Sequence, residues 1–247
     1  MLVAAALPDI PEVRAGDDLA GLLVAAAGML AHGDVLVVSH KVVSKAEGRT
    51  VALAAVEPGE RALQLAAEHG KDARLVEVIL CESSEIVRSR PGVLICRTRH
   101  GFVCANAGVD ASNAGPHADV VLLPEDPDAS ARALRARLRT LAGVAPAIVI
   151  ADSFGRAWRV GQCDVAIGIA GLAAVEDWRG RADGGGRPLE ATVVAVADEA
   201  AAAADLTRGK ASREPAVLVR GLERHVGEAD GSGAAALVRA RAEDLFL

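Results

Sequence analysis

Short unbroken apolar runs alternate along this chain with longer stretches whose apolar residues are spaced more loosely. The runs at 2–6, 35–38, 93–96, 102–105, 120–123, 146–151, 165–172 and 216–219 are too short for helices, and turn-forming residues bound several of them. They predict buried strands. Helices are predicted at 19–30 behind Asp17 and Asp18, at 58–69, at 72–80, at 189–206 and at 234–244. A further helix follows Asp126-Pro127-Asp128 and runs to about Leu141. An acid cap, an early proline and arginines at 132, 135, 137 and 139 suit its dipole. Strand, helix and strand from 120 to 151 form the clearest architectural signal. The predicted fold class is α/β, in the mixed α+β sense. No internal repeat or low-complexity linker separates independent domains.

Composition narrows this picture. The chain has 247 residues, enough for one large domain or two small ones. Aromatics make up 2% and Tyr is absent, so Ala, Val, Leu and Ile must build the core. The formal charge of -6 comes without a block of like charges and argues against a nucleic-acid surface. A small anion needs only a local group of Lys and Arg, so it stays open. Four cysteines without a C-x-x-C pair read as reduced thiols of a cytoplasmic protein. The N-terminus lacks the pattern of a signal peptide. No stretch approaches the roughly 20 apolar residues of a membrane helix without a charge or a break.

Candidate chemistry concentrates behind three strands. The run 146–151 is followed by Asp152, Ser153, Gly155, Arg156, Trp158 and Arg159 in one expected short loop. A carboxylate, a hydroxyl and two guanidinium forks suit an anionic, metal-bound ligand. The bland alternative is a polar loop between core strands. Gly168 and Gly171 inside the next run predict close approach of a backbone or a ligand. Behind 35–38 come Ser39, His40, Lys41, Ser44, Lys45 and Gly48, a candidate phosphate cradle or a solvated basic turn. It is no Walker loop, and no G-x-G-x-x-G opens a helix after a strand. His40 alone reads more often as structural than as catalytic. Behind 102–105, a loop of small residues carries Asn106, Asp110, Ser112 and Asn113. Asp110 and Asp152 are the best pair of acids for a hard divalent cation, or Asp110 simply forms a turn. Arg88, Arg90, Arg97 and Arg99 flank the strand at 93–96, as solvated charges or as an anion clamp. Gly184-Gly185-Gly186 predicts a mobile loop.

Several separate motifs, in order, then carry a resemblance. They are Lys41-Val-Val-Ser-Lys45-Ala-Glu47-Gly48-Arg49, Asn106-Ala-Gly-Val-Asp110-Ala-Ser-Asn113, Asp152-Ser-Phe-Gly-Arg156-Ala-Trp-Arg159-Val-Gly-Gln162, Ala166-Ile-Gly-Ile-Ala-Gly171 and Ala195-Val-Ala-Asp198-Glu199. Together they resemble the coenzyme F-420-0:L-glutamate ligase (gamma-glutamyl ligase) family from near Leu7 to Gly221. The resemblance implies a gamma-glutamyl ligase-like fold in an intertwined homodimer, one domain over 1–247 with two interleaved subdomains, and no C-terminal nitroreductase-like domain. It implies GTP-dependent joining of L-glutamate to the lactyl carboxylate of coenzyme F-420-0 through an acyl phosphate, with further gamma-linked additions. Two divalent ions, Mg2+ or Mn2+, and K+ as a further ion are implied, with Asp110, Asp152 and Ser153 as metal ligands. Leu7, Pro8, Asp9, Ile10, His40, Lys41, Lys45 and Asn113 match nucleotide-contacting positions, and Lys210 falls near a turn where relatives place a polar metal ligand. Asp152, Arg156 and Arg159 are the expected catalytic groups, the arginines holding phosphate or glutamate carboxylates. The rival readings are a nucleotide-dependent ligase for another carboxylate and amine, and a non-catalytic nucleotide- or deazaflavin-binding protein.

Overall fold

The computed structural model describes residues 1–112, 114, 119–209 and 211–244. Its strands are β1 (Val3–Ala6), β2 (Val35–Ser39), β3 (Thr50–Val51), β4 (Ser83–Arg90), β5 (Val93–Thr98), β6 (Val103–Ala105), β7 (Val120–Val121), β8 (Ala147–Arg156), β9 (Arg159–Ala170), β10 (Glu176–Asp177), β11 (Val193–Val194) and β12 (Ala216–Arg220). Its α-helices are α1 (Leu19–Ala27), α2 (His40–Ala46), α3 (Glu60–His69), α4 (Ala73–Cys81), α5 (Pro127–Ala142) and α6 (Val196–Asp205).

The main sheet runs in the order β1-β12-β2-β8-β9. Only β2 and β8 are parallel neighbours, with Val35 opposite Ala147 and Ser39 opposite Ala151. Val35 to Val38 of β2 and Ala147 to Ala151 of β8 are apolar and buried because helices cover both faces there. Side chains alternate between those faces. Leu36, Val38, Ile148 and Ile150 enter the core under α1 and α5. Val35, Val37, Ala147 and Val149 enter the core under α6. That helix packs through Ala197, Ala200, Ala201 and Ala204, whose small side chains let it lie close to the sheet. The cap of α5 is as the sequence predicts: Asp126 accepts from the Ala129 amide, Pro127 stands in the first turn and Gly143 ends the helix left-handed.

Gly168 and Gly171 owe their identity to α5. A Cβ on Gly168 would lie 2.3 Å from the Pro127 carbonyl oxygen, and one on Gly171 2.3 Å from the Arg135 guanidinium. The expected close approach is therefore made by a helix of the protein itself.

A second core lies between α2 and α5 in the chain. Leu65, Val76 and Ile79 of α3 and α4 pack with Leu94 and Val120. The β4-β5-β6 sheet and the short β3-β7 ladder frame it. Arg49 ties the two cores, donating to Glu82 at 2.8 Å and to the Leu123 carbonyl at 3.1 Å.

Several local expectations are corrected. The run at 120–123 pairs with β3, not with β8, so the expected β-α-β unit spans two sheets. The basic segment after β2 is a helix, α2, not a turn. The residues after Ala151 continue β8, so the expected loop is a hairpin. The stretch before α6 is the return arm of an extended hairpin, with Trp178 and Thr192 bonded through their backbones. The C-terminal helix reduces to the 3-10 turns Ala234–Leu237 and Arg241–Glu243. No helix among the described residues is long and apolar enough to cross a membrane.

Candidate functional site

The start of α2 organises the site. β2 ends at Ser39, whose amide donates to the Pro215 carbonyl at 2.8 Å, and the helix then presents His40 and Lys41 together. Lys41 Nζ lies 2.7 Å from Asp110 Oδ2 and 2.6 Å from Ser112 Oγ. One turn on, Lys45 is buried yet places its ammonium 2.5 Å from Glu12 Oε1. Two cations four residues apart thus share one side of a short helix.

Asp110 reaches Lys41 because the chain before it is sharply bent. Asn106 and Ala107 hold φ of 52° and 54°, and Gly108 follows at 74°. Non-glycine residues rarely adopt this region unless their surroundings impose it. Asp110 then pairs with Val121 through two backbone hydrogen bonds of 3.0 and 2.8 Å. Burial opposes its ionisation, but hydrogen bonds from Lys41 and from the Ser112 amide prevail and hold its pKa below the usual carboxylate value.

Asp152 and Ser153 are neighbours on β8 and so face opposite sides of the sheet. Asp152 Oδ1 lies 3.3 Å from His40 Nε2. His40 is buried, and neither of its ring nitrogens makes a hydrogen bond among the described residues. Ser153 Oγ turns the other way and donates to Asp164 Oδ1 at 2.5 Å. Its amide donates to Asp152 Oδ1 at 2.8 Å.

The arginines of the opening motif stand apart. Arg156 and Arg159 are opposed across a tight turn in which Trp158 is left-handed and 85% exposed. Arg156 donates to the Val160 carbonyl at 2.8 Å, closing its own hairpin. Neither is bonded to Asp110, Asp152 or the lysines among the described residues. At the N-terminal segment, the Leu7 amide donates to the Ala216 carbonyl at 2.9 Å. Pro8 and Asp9 are exposed, Asp9 with a φ of 59°, and Ile10 packs on the first core. Glu12 carries this segment to Lys45. Asn113 and Lys210 lie outside the described residues.

Other candidates prove architectural. Arg97 pairs with Glu85 at 3.4 Å and Arg99 donates to the Cys81 carbonyl, so these cations brace the second sheet. Glu47 accepts from Ser130 at 2.5 Å, holding α2 to α5. Sequence reasoning missed Asp164 and Arg208. The signal for Asp164 was a lone acid entering the apolar run at 165–172. Its partner stands 44 residues on and no spacing rule connects them.

Among the described residues no group of three or more His, Cys, Asp or Glu is placed to hold a metal ion. A hard cation such as Mg2+ commonly takes one or two carboxylates and completes its shell with substrate phosphates and water. Asp110 and Asp152 fit that requirement in donor type. The Lys41 ammonium occupies Asp110 in this structure, so a metal ion would have to share or displace it.

Fold and site together define an α/β protein whose lysines and carboxylates suit a polyanionic ligand. Residues 9–221 match the family model described as F420-0:Gamma-glutamyl ligase. The chain belongs to that family. It is 48% identical over 237 residues to the coenzyme F420:L-glutamate ligase of Methanopyrus kandleri, covering 95% of this chain and 93% of that protein. It is 45% identical over 242 residues to the protein of that name from Methanothermobacter thermautotrophicus, covering 96% and 95%. The one from Haloarcula marismortui is 47% identical over 222 residues, covering 87% and 85%.

Proposed function

We propose that this protein ligates L-glutamate to the lactyl carboxylate of coenzyme F-420-0 using GTP, and extends the product by gamma-linked glutamates. The observation that carries the reading is Lys41 held on Asp110 at the start of α2, with Lys45 one turn behind. A carboxylate does not react with an amine until its oxygen becomes a leaving group. In the proposed sequence a lactyl carboxylate oxygen attacks the γ-phosphorus of GTP, GDP departs and an acyl phosphate forms. The glutamate amine, having lost a proton, then attacks the acyl carbon and phosphate leaves.

The chain's own groups have distinct tasks in this scheme. Lys41 and Lys45 neutralise phosphate oxygens as point charges. Their partners Asp110 and Glu12 hold both ammoniums in place before the nucleotide arrives. Leu7 to Ile10 and His40 serve as nucleotide-contacting residues, a role proposed for Asn113 from its sequence position alone. Asp110 and Asp152 would hold Mg2+ or Mn2+, with K+ as an additional ion, and Ser153 would join them only by turning its hydroxyl away from Asp164. A bound divalent ion supplies charge neutralisation at the transferring phosphoryl group. Arg156 and Arg159 serve the phosphate or the glutamate carboxylates once the hairpin meets a ligand. The exposed Trp158 and Val160 at the hairpin tip support a homodimer, which light scattering would test.

The decisive assay mixes the protein with coenzyme F-420-0, L-glutamate, GTP and Mn2+. GDP and phosphate release should require all four, and mass spectrometry should find the precursor heavier by glutamate residues. Release without precursor, or an unchanged precursor mass, would sink the reading. Replacing GTP by ATP tests the nucleotide.

A further inference from the structure

Two of the four cysteines face each other on the approach to Asp110. Cys96 of β5 and Cys104 of β6 are partners in the antiparallel register. Both are buried and both are free thiols. Directly opposed residues of such strands point to the same face, with Cα atoms and Cβ atoms each about 4.5–5.5 Å apart. A disulfide spans Cα separations of about 4.4–6.8 Å and holds its Cβ atoms about 3.8 Å apart. The pair is therefore within bonding reach, and closing the bond draws the two strands together by roughly 1 Å.

No step of the proposed ligation uses either thiol. Burial pushes both thiol pKa values up, that of Cys104 to about 12, so the closed pair resists oxidants. The strand that carries Cys104 is poorly held, however. β6 is three residues long and the outer strand of its sheet, with Val103 and Ala105 exposed on either side of the cysteine. Short outer strands open locally at low free energy. Opening returns Cys104 to water, where a thiol ionises near its ordinary value.

A shift of β6 is passed on to the candidate site. Ala105 runs directly into the left-handed Asn106, Ala107 and Gly108, and Asp110 follows. Ala107 packs in the same core as Cys96. Gly108 lies so close to Leu123 that a Cβ there would stand 2.7 Å from its side chain. The turn has no slack, so movement at Cys104 reaches Asp110 and its contact with Lys41.

We infer that Cys96 and Cys104 form a site of reversible oxidation, whose disulfide displaces the turn that carries Asp110 and lowers activity. The oxidant is a peroxide. One sulfur becomes a sulfenic acid as the O–O bond breaks and water leaves; the other sulfur then attacks it and a second water leaves. Two thiols and one hydrogen peroxide thus give one disulfide and two waters. A dithiol reductant reverses the change by exchange. The disulfide stands on the strand register, whereas its effect on turnover rests on the ligase reading.

The test treats the full chain carrying Cys81→Ser and Cys163→Ser with hydrogen peroxide. This background removes the two more accessible thiols. The intact mass should fall by two hydrogen atoms, and proteolysis should yield the Cys96 and Cys104 peptides joined. Amide exchange at 106–110 should change, and GTP turnover with precursor and glutamate should drop about ten- to a hundredfold. Dithiothreitol should restore all four readings. Cys96→Ala on the same background should keep its own turnover under peroxide; if it does not fold, Cys104→Ala takes its place.

If both thiols are still free to alkylation after peroxide, the inference is overturned. A disulfide that leaves turnover in place overturns it too, as does equal inactivation of Cys96→Ala. If the reduced protein turns over no GTP, the ligase reading fails, and the mass and exchange readings still decide the thiol pair.

Discussion

The two faces of the β8 end handle charge in opposite ways. Towards α2, Lys41 meets Asp110 with side chains that are 20% and 37% exposed. Towards α6, Arg208 meets Asp164 with side chains that are 11% and 3% exposed. A partly exposed lysine on a flexible stem can leave its carboxylate for a phosphate. A buried fork bonded on two sides cannot leave without stranding a charge. The first pair is built to exchange partners and the second to stay put. Breaking each should therefore register in a different measurement.

The largest effect should come from the buried pair. Arg208→Met leaves Asp164 uncompensated and is expected to cost about 3–5 kcal/mol of unfolding free energy. Urea denaturation checks it. A loss below about 1 kcal/mol would mean that water reaches Asp164 and that the two faces differ less than the geometry indicates.

Lys41→Met should reverse the pattern. Its loss of stability is expected to stay under about 1 kcal/mol, as for other partly exposed ion pairs. Its turnover of GTP with precursor and glutamate should fall about a hundredfold, as when one preorganised charge at a transition state is removed. Equal losses in stability and turnover would make the exchangeable pair a structural one.

The seat of α5 predicts a smaller change. Gly168→Ala places a methyl against the Pro127 carbonyl and should destabilise by about 1–3 kcal/mol. Gly155→Ala lies in open space on the same hairpin and should be nearly neutral. If both melt alike, the glycine is not there for α5.

How far the sequence reveals this arrangement depends on where each residue finds its partner. The buried halves of β2 and β8, Val35 to Val38 and Ala147 to Ala151, are legible because both faces are covered and every position there is apolar. The cap of α5 is legible because its signals are local. β4 is hidden: Ser83 to Arg90 is a polar, half-exposed strand whose evidence lies in its pairing with β5. α2 is hidden because Val42, Val43 and Ser44 are weak helix formers, and packing on the sheet decides. The 189–206 segment reads as one helix since Ala-rich sequence favours it, yet its first part is held by cross-strand bonds to 178–181. At the site, Lys41, Lys45, Asp110 and Asp152 are visible as charges behind apolar runs. The Lys41–Asp110 bond spans 69 residues of chain and Asp164–Arg208 spans 44, and no local pattern encodes either distance.

The smallest prediction uses pH to separate two half-buried acids near the site. Burial raises the pKa of Asp198, and the Ala166 amide only partly offsets it. Burial also acts on Asp110, but Lys41 and Ser112 overcome it and the pKa falls. A lowered folded pKa gives stability that is present above the unfolded value of about 3.9 and is lost as pH falls through the folded value. A raised folded pKa gives stability that is present below about 3.9 and is lost as pH rises through the folded value. Asp110→Asn should therefore be least stable relative to the parent above about pH 4, the gap narrowing in acid. Asp198→Asn keeps an acceptor for the Ala166 amide and sheds the buried charge, so it should exceed the parent at neutral pH and converge with it below about pH 4. Unfolding free energies of the three proteins across pH 3 to 8 decide the matter. Parallel curves would mean that solvent screens both acids alike, and that neither Lys41 at Asp110 nor burial at Asp198 governs its ionisation.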